Sequence, residues 1–202
     1  MKRVSRVIQY VDGIIEKIPS AEKRKQAYVH TYGVSQYCAL LAAKRGLDPE
    51  LAYISGLLHD IYTYFSGSGM YHAYSGAEMA RVAIRNMNIF SDDEKIIILS
   101  AIFHHSQKKQ IHDGYDEVLK DADILSLFFN DPEFRVFYRD AQRLENLLKE
   151  LKITAALTEH GHELAMSQGI KFKSSLFADI AEEMASKNIR GESESAQFMD
   201  II

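Results

Sequence analysis

Asp48-Pro49-Glu50-Leu51-Ala52-Tyr53-Ile54-Ser55-Gly56-Leu57-Leu58-His59-Asp60-Ile61 is the stretch that decides the fold. Asp48 before Pro49 has the form of a helix N-cap followed by proline in the first turn. Leu51, Ile54, Leu58 and Ile61 then follow at three- and four-residue spacing, which predicts one helix running through His59 and Asp60. The same period continues in both directions. Upstream, a helix from about Glu22 to Arg45 ends at Gly46. Before it, Val4, Ile8, Val11 and Ile15 line one stripe of an opening helix over about Val4 to Ile18, closed by Pro19-Ser20. Downstream, Ser66-Gly67-Ser68-Gly69 predicts a flexible loop, and a fourth helix covers about Tyr74 to Asn86. Ser91 with Glu94 forms a capping box for a fifth, from Asp92 to about His105. After a polar loop over Ser106 to Gly114, a sixth carries Val118, Ala122, Leu125 and Phe129 on one side. With three prolines and eleven glycines in the whole chain, the expected class is all-α.

Asp131-Pro132 repeats the cap-plus-proline signal and marks an expected boundary. Residues 1–130 form the main helical domain, and 131–202 a C-terminal helical extension, broken near Gly161, Gly169 and Gly191, that packs on the same core or builds a homodimer face. The 202 residues, 47% hydrophobic and 26% charged, are those of a globular chain with a sizeable core. A net charge of −4 argues against a binder of nucleic-acid duplexes. Cys38 is the single cysteine, so no intrachain disulfide can form and a cytoplasmic location is expected. Asp12 and Glu16 interrupt the basic start before any signal-peptide apolar block. Apolar runs such as Ile96 to Leu99 fall far short of the roughly 20 residues that span a membrane.

The chemistry is concentrated in eight histidines, of which His30, His59, His72, His104 and His105 lie in or beside apolar helical segments. Imidazole and carboxylate together bind first-row divalent metals, and helices of a bundle can converge their ligands on one interior point. An ionised Asp60 in an apolar segment is costly without a cation. His112, His160 and His162 stand in polar surroundings and are expected to be solvated.

The array His30, then Gly56-Leu57-Leu58-His59-Asp60-Ile61, then His72 with Ser75-Gly76-Ala77, then Ala101-Ile102-Phe103-His104-His105, then Ala122-Asp123-Ile124-Leu125 resembles the HD superfamily of metal-dependent phosphohydrolases. The resemblance spans about Tyr28 to Phe129 and keeps the order of all five motifs. It implies an HD-type helical bundle in which His30, His59, Asp60 and Asp123 bind a first ion. Members with a second ion add histidines of the intermediate motifs, here His72, His104 and His105, with Asp60 bridging. Neighbours on a helix point about 100° apart, so one of His104 and His105 faces the site, and His104 is the first choice. Asp121 and Asp123 lie on either side of the apolar stripe, so periodicity does not choose between them. The resemblance puts the ligand after the alanine of an Ala-Asp pair, which selects Asp123. At the first motif many relatives have His-x-x-Arg-Val where this chain has His30-Thr31-Tyr32-Gly33-Val34, so an arginine often placed near the substrate is missing.

The implied activity is hydrolysis of a nucleotide or other small phosphoester, a phosphomonoester or phosphodiester, with His59 and Asp60 at its centre. One or two divalent ions (Mn, Fe, Co, Ni, Mg or Zn) would lower the pKa of a water. Lys108 and Lys109 are close enough to the histidine pair to reach a phosphate. Tyr64 belongs with Tyr62, Phe65, Tyr71 and Tyr74 to an aromatic set around the Gly-Ser loop that suits a lid over an organic group, or packing against the C-terminal half. Two further classes fit the same residues: a di-iron oxygenase of the superfamily, and a non-catalytic module in which the metal only stabilises the fold.

Overall fold

The computed structural model describes residues 2–130 and 138–153. Among them are eight helices and no strand: α1 (Arg3–Ile15), α2 (Ala21–Lys44), α3 (Pro49–Leu58), α4 (Ile61–Ser66), α5 (His72–Met87), α6 (Asp92–His104), α7 (Gly114–Asn130) and α8 (Tyr138–Glu150). The described part of the protein is all-helical. None of these helices is long and apolar enough to cross a membrane. The chain divides into two compact units near residue 134. The first holds α1 to α7. The second holds α8, an amphipathic helix that buries Leu144, Leu147 and Leu148. The expected helical breaks near Gly161, Gly169 and Gly191, and His160 and His162, lie outside the described residues.

The punctuation read from the sequence forms as real caps. The Asp48 side chain accepts from the Glu50 amide at 2.7 Å with Pro49 at N1. Ser91 and Glu94 close a reciprocal capping box on α6. Gly46 takes up a left-handed φ of 73° at the end of α2, a conformation that costs glycine little.

In the first unit α2 is central and packs most extensively against α3 and α7. Val34, Cys38, Leu41 and Ala42 of α2 meet a core that includes Ile54, Leu57 and Leu58 of α3, Ile98 and Ile102 of α6, and Leu119, Ala122 and Leu125 of α7, all of them buried. Two glycines set how closely α2 is approached. A Cβ on Gly56 would lie 2.7 Å from the Ser35 Cα, and one on Gly33 would lie 2.7 Å from the Ser126 Oγ. The first contact is with backbone and cannot be relieved by a rotamer, so α3 reaches α2 only because residue 56 lacks a side chain.

The single helix expected through Ile61 is broken. α3 ends at Leu58, and Asp60 leaves helical torsions (φ −111°, ψ 14°) before α4 begins. The apolar period survives the break because Ile61 still points into the core, which is why spacing alone concealed it. The doublet therefore sits at a corner between two helices. α5 likewise begins at His72, two residues earlier than its apolar pattern, immediately after Tyr71 with a positive φ of 54°.

Candidate metal centre

Two helix middles, one corner between helices and two helix ends deliver six side chains to one place. His30 comes from the middle of α2, and Asp123 from the middle of α7. His59 and Asp60 occupy the α3–α4 corner. His72 opens α5, and His105 follows the last residue of α6.

Three of the histidines are oriented by the same local device. The Nδ1–H of His59 donates to the Gly56 carbonyl at 2.7 Å, that of His72 to Gly69 at 2.8 Å, and that of His105 to Ile102 at 2.6 Å. In each case the acceptor is three residues earlier. A carbonyl can only accept, so each Nδ1 carries a proton, and the nitrogen left to act as a metal ligand is Nε2 on the far side of the ring. Those nitrogens converge. The Nε2 atoms of His72 and His105 are 3.0 Å apart, and those of His59 and His30 are 3.2 Å apart.

Asp60 stands between the two pairs. Its Oδ2 is 3.3 Å from His59 Nε2 and 3.7 Å from His30 Nε2. Its Oδ1 is 3.7 Å from His105 Nε2 and 3.8 Å from His72 Nε2. Asp123 Oδ1 completes the first side at 3.4 Å from His30 Nε2. Two groups, His30–His59–Asp60 and Asp60–His72–His105, therefore have their ligand atoms within reach of a common ion.

Whether a cation fits can be tested on this geometry. Ligand atoms about 2.1 Å from one ion lie about 3.0 to 3.4 Å from each other at octahedral to tetrahedral angles. The separations within each histidine pair, and those from His59 to Asp60 and from His30 to Asp123, fall in that interval. Asp60 Oδ1 is buried and has no hydrogen-bond partner. Two facing lone pairs and an orphaned carboxylate oxygen are unfavourable by themselves, and a divalent cation relieves both.

The electrostatics agree. Burial alone would raise the carboxyl of Asp60, but His59 above all, with His105 and His72, holds it well below the usual range. Burial likewise opposes ionisation of Asp123, and Lys108, then His30, outweigh it. Burial first, then the neighbouring His59, pushes His105 down to about 3, and burial lowers His30. His59 is raised in spite of burial because Asp60 lies against it. Asp60 and Asp123 kept ionised beside His30 and His105 kept neutral are the protonation states in which these four groups ligate metal.

The last carboxylate is resolved by the tertiary structure. Asp121 faces away and pairs with Arg45 at 2.6 Å, while Asp123 meets His30 and forms an ion pair with Lys108. Lys109 is exposed. Tyr64 is buried, and its hydroxyl accepts from Thr31 Oγ1 at 2.9 Å, so it belongs to the wall of the site instead of a lid. Phe65, Tyr71 and Tyr74 are exposed around the Gly-Ser loop.

His104, first choice of its pair, is a correction. The 100° step of the helix turns it away from Asp60 toward α7, where its Nδ1 donates to Asp116 Oδ2 at 2.7 Å. His105 takes the inward place. A second correction concerns His112, which was expected in solvent. Its ring stacks on His104 with centroids 3.9 Å apart and planes 16° apart. Its Nδ1 accepts from Lys120 at 2.6 Å, and the fully buried Lys120 also donates to Gln110 O and Glu117. His104, His112 and Asp116 bring ligand atoms near one another, yet this group does not suit an ion. Lone pairs lie in the ring planes, so an ion in the plane of one stacked ring lies off the plane of the other. The nitrogens that face the network are already bonded, one of them to an ammonium. Sequence reading missed Asp116 and Lys120. Their four-residue spacing on α7 was the available signal.

Residues 27–127 match the family model described as HD domain, which is half of the chain. A curated protein named cytidylate kinase, from Pelodictyon phaeoclathratiforme, is 26% identical over 166 residues, covering 76% of this chain and 71% of that protein. No solved structure matches the chain significantly.

Proposed function

The chain belongs to the HD-domain family, and from that premise we propose that it is a metal-dependent phosphohydrolase acting on a nucleotide or other small phosphoester. The observation that carries this reading is Asp60, a buried carboxylate whose two oxygens face two separate histidine pairs, with Oδ1 lacking any hydrogen bond. His30, His59, Asp60 and Asp123 would hold one divalent ion, and Asp60, His72 and His105 a second. Such ions, when bound, supply Lewis acidity toward a phosphoryl oxygen and lower the pKa of a coordinated water.

The chain's own residues have separable parts in this. The Gly56, Gly69 and Ile102 carbonyls fix the rings of His59, His72 and His105, so the site is organised before substrate arrives. Asp123 offers Oδ1 toward His30 while Oδ2 takes Lys108. Lys108 thereby holds an ammonium at the rim of the site, where it adds positive charge for a substrate phosphate. Burial of Leu57, Leu58, Ile61 and Tyr64 around the corner excludes water from one side of the site.

A kinase reading, taken from the name of the relative, finds no support in this chain. The sequence contains no G-x-x-x-x-G-K-[ST] stretch, and no described residue is in a strand; a P-loop phosphate cradle depends on both. The oxygenase reading has one observation in its favour: four histidine nitrogens to two carboxylates is a donor set that also suits iron.

The deciding experiment is metal analysis of protein purified without added metal, followed by a panel of phosphate esters assayed with Mn and Co, with oxygen uptake followed in parallel. Phosphate release that disappears in Asp60→Asn together with the metal supports the hydrolytic reading. Iron retention with oxygen consumption and no phosphate release overturns it.

A further inference from the structure

A cleft of about 330 Å³ opens beside the candidate metal centre, lined by Tyr71, His72, Tyr74, Phe103, Ser106 and Gln107. Its walls are aromatic and its edge is amide and hydroxyl. Tyr71, Tyr74 and Phe103 are 78%, 61% and 39% exposed, so three rings at one place are not used by the core. Tyr74 and Phe103 meet edge to face with centroids 5.9 Å apart, an arrangement that leaves ring faces open.

Tyr71 is the residue hardest to explain by folding. Its backbone is left-handed at φ 54°, a conformation that is unfavourable for a bulky residue and that glycine or asparagine adopts at little cost. Its side chain makes no hydrogen bond and no ring contact with any described residue, and stands in solvent. A strained aromatic directly before His72, contributing nothing to the core, calls for a ligand. His72 lies in both places. It faces Asp60 and His105 with its Nε2, and it also lines the cleft. A group attached to a phosphoryl at the metal centre would extend past His72 onto the rings.

We propose that this cleft is the subsite for the esterifying group of the substrate, and that this group is a planar aromatic ring with polar atoms on its edge. The inference rests on the phosphohydrolase reading for the position of the phosphoryl group. A sugar or polyol would need an array of carboxylate and amide partners, and a lipid chain would need an aliphatic groove. The cleft offers ring faces, with Ser106 and Gln107 to meet polar ring edges. A nucleobase and a simple aryl group share that chemistry.

The test separates binding from turnover. The Mn-loaded full chain is titrated with methylphosphonate, phenylphosphonate and the 5′-phosphonate analogue of a purine nucleoside, and phosphate release is measured in parallel from phenyl phosphate and glycerol phosphate. Phenylphosphonate is expected to bind about tenfold more tightly than methylphosphonate, the scale of one ring stacked on aromatic side chains. In Tyr74→Ala and in Tyr71→Gly that ratio should fall to about two or less, with Mn content and methylphosphonate affinity unchanged. Tyr71→Gly removes the ring while relieving the backbone, so a loss there is not a folding failure. Tighter binding of the nucleoside analogue than of phenylphosphonate identifies a nucleobase, and the reverse a simple aryl group; both support the subsite. Equal affinity for the methyl and phenyl probes, or a ratio that neither variant moves, overturns it even if both esters are hydrolysed. Ring-dependent binding in a protein that releases no phosphate from either ester upholds the subsite and overturns the phosphohydrolase reading instead.

Discussion

His104 and His105 are adjacent in the chain and enter opposite kinds of polar cluster. Around His105, ring nitrogens point at one another across Asp60, and a buried carboxylate oxygen has no partner. Around His104, two imidazoles lie flat on each other, and Asp116, Ser100, Lys120 and Glu117 close a hydrogen-bonded network. Both are built from histidines, carboxylates and a lysine. What differs is where the lone pairs point and whether the buried polar groups are satisfied without help. The first cluster is incomplete as a protein structure and so asks for a cation, whereas the second is complete and works as a fastening between α6, the loop after it and α7.

The largest effect expected from this contrast is on metal. His105→Ala should strip the second ion and lower turnover at least about a hundredfold, since outer partners alone already cost 10- to 100-fold when lost. His104→Ala should leave the metal content intact. Metal analysis and ester hydrolysis on both variants check this, and a loss of metal in His104→Ala would erase the distinction between the clusters.

An intermediate effect belongs to Lys120. It is fully buried and bonds three acceptors. Lys120→Met should destabilise the fold by about 2 kcal/mol, because the Gln110 carbonyl and His112 Nδ1 lose the buried ammonium they accept from, while bound metal per folded molecule stays the same. Denaturant unfolding with parallel metal analysis would show it. An unchanged midpoint would mean that the second cluster fastens nothing.

The effect spread most thinly over conditions is a slope with pH in the metal-free protein. His105 is held down to about 3 when folded, by burial and then by His59, against about 6.5 when unfolded. A folded-state value below the unfolded one favours the neutral ring, so its contribution is complete above about pH 6.5 and is lost as pH falls from there toward 3. Asp60 and Asp123, both depressed, lose theirs in the same direction at lower pH. Thermal unfolding of metal-free wild type should fall faster over that window than that of His105→Gln. Parallel curves would show that the first cluster is not the acid-sensitive one.

Much of this was legible beforehand, for reasons that differ by residue. Helix starts were readable because Asp48-Pro49 and Ser91 with Glu94 act through bonds to amides two or three residues away, so the signal and its effect share one stretch of chain. The break at His59-Asp60 was not, since Ile61 keeps its apolar register across the corner. The buried role of Tyr64 was missed because its partner, Thr31, is thirty-three residues distant. Gly56 and Gly69, each three residues before a site histidine, could have announced the carbonyl that orients the ring, although Ile102 does the same work before His105 without being glycine.

The order of the histidines and aspartates, the helical period and the caps are properties of the linear chain, and they were enough to determine an all-helical protein with a shared polar centre. Two outcomes waited for the folded molecule, His105 over His104 and a fastened His112 in place of a solvated one, while Asp123 over Asp121 had rested on the family resemblance, since periodicity did not choose. His104 against His105, and Asp121 against Asp123, are choices between side chains separated by one or two helical steps of about 100°. Both directions are compatible with an amphipathic pattern. Only the packing of α6 and α7 against the rest decides which points at Asp60, because that depends on contacts between residues far apart in the chain.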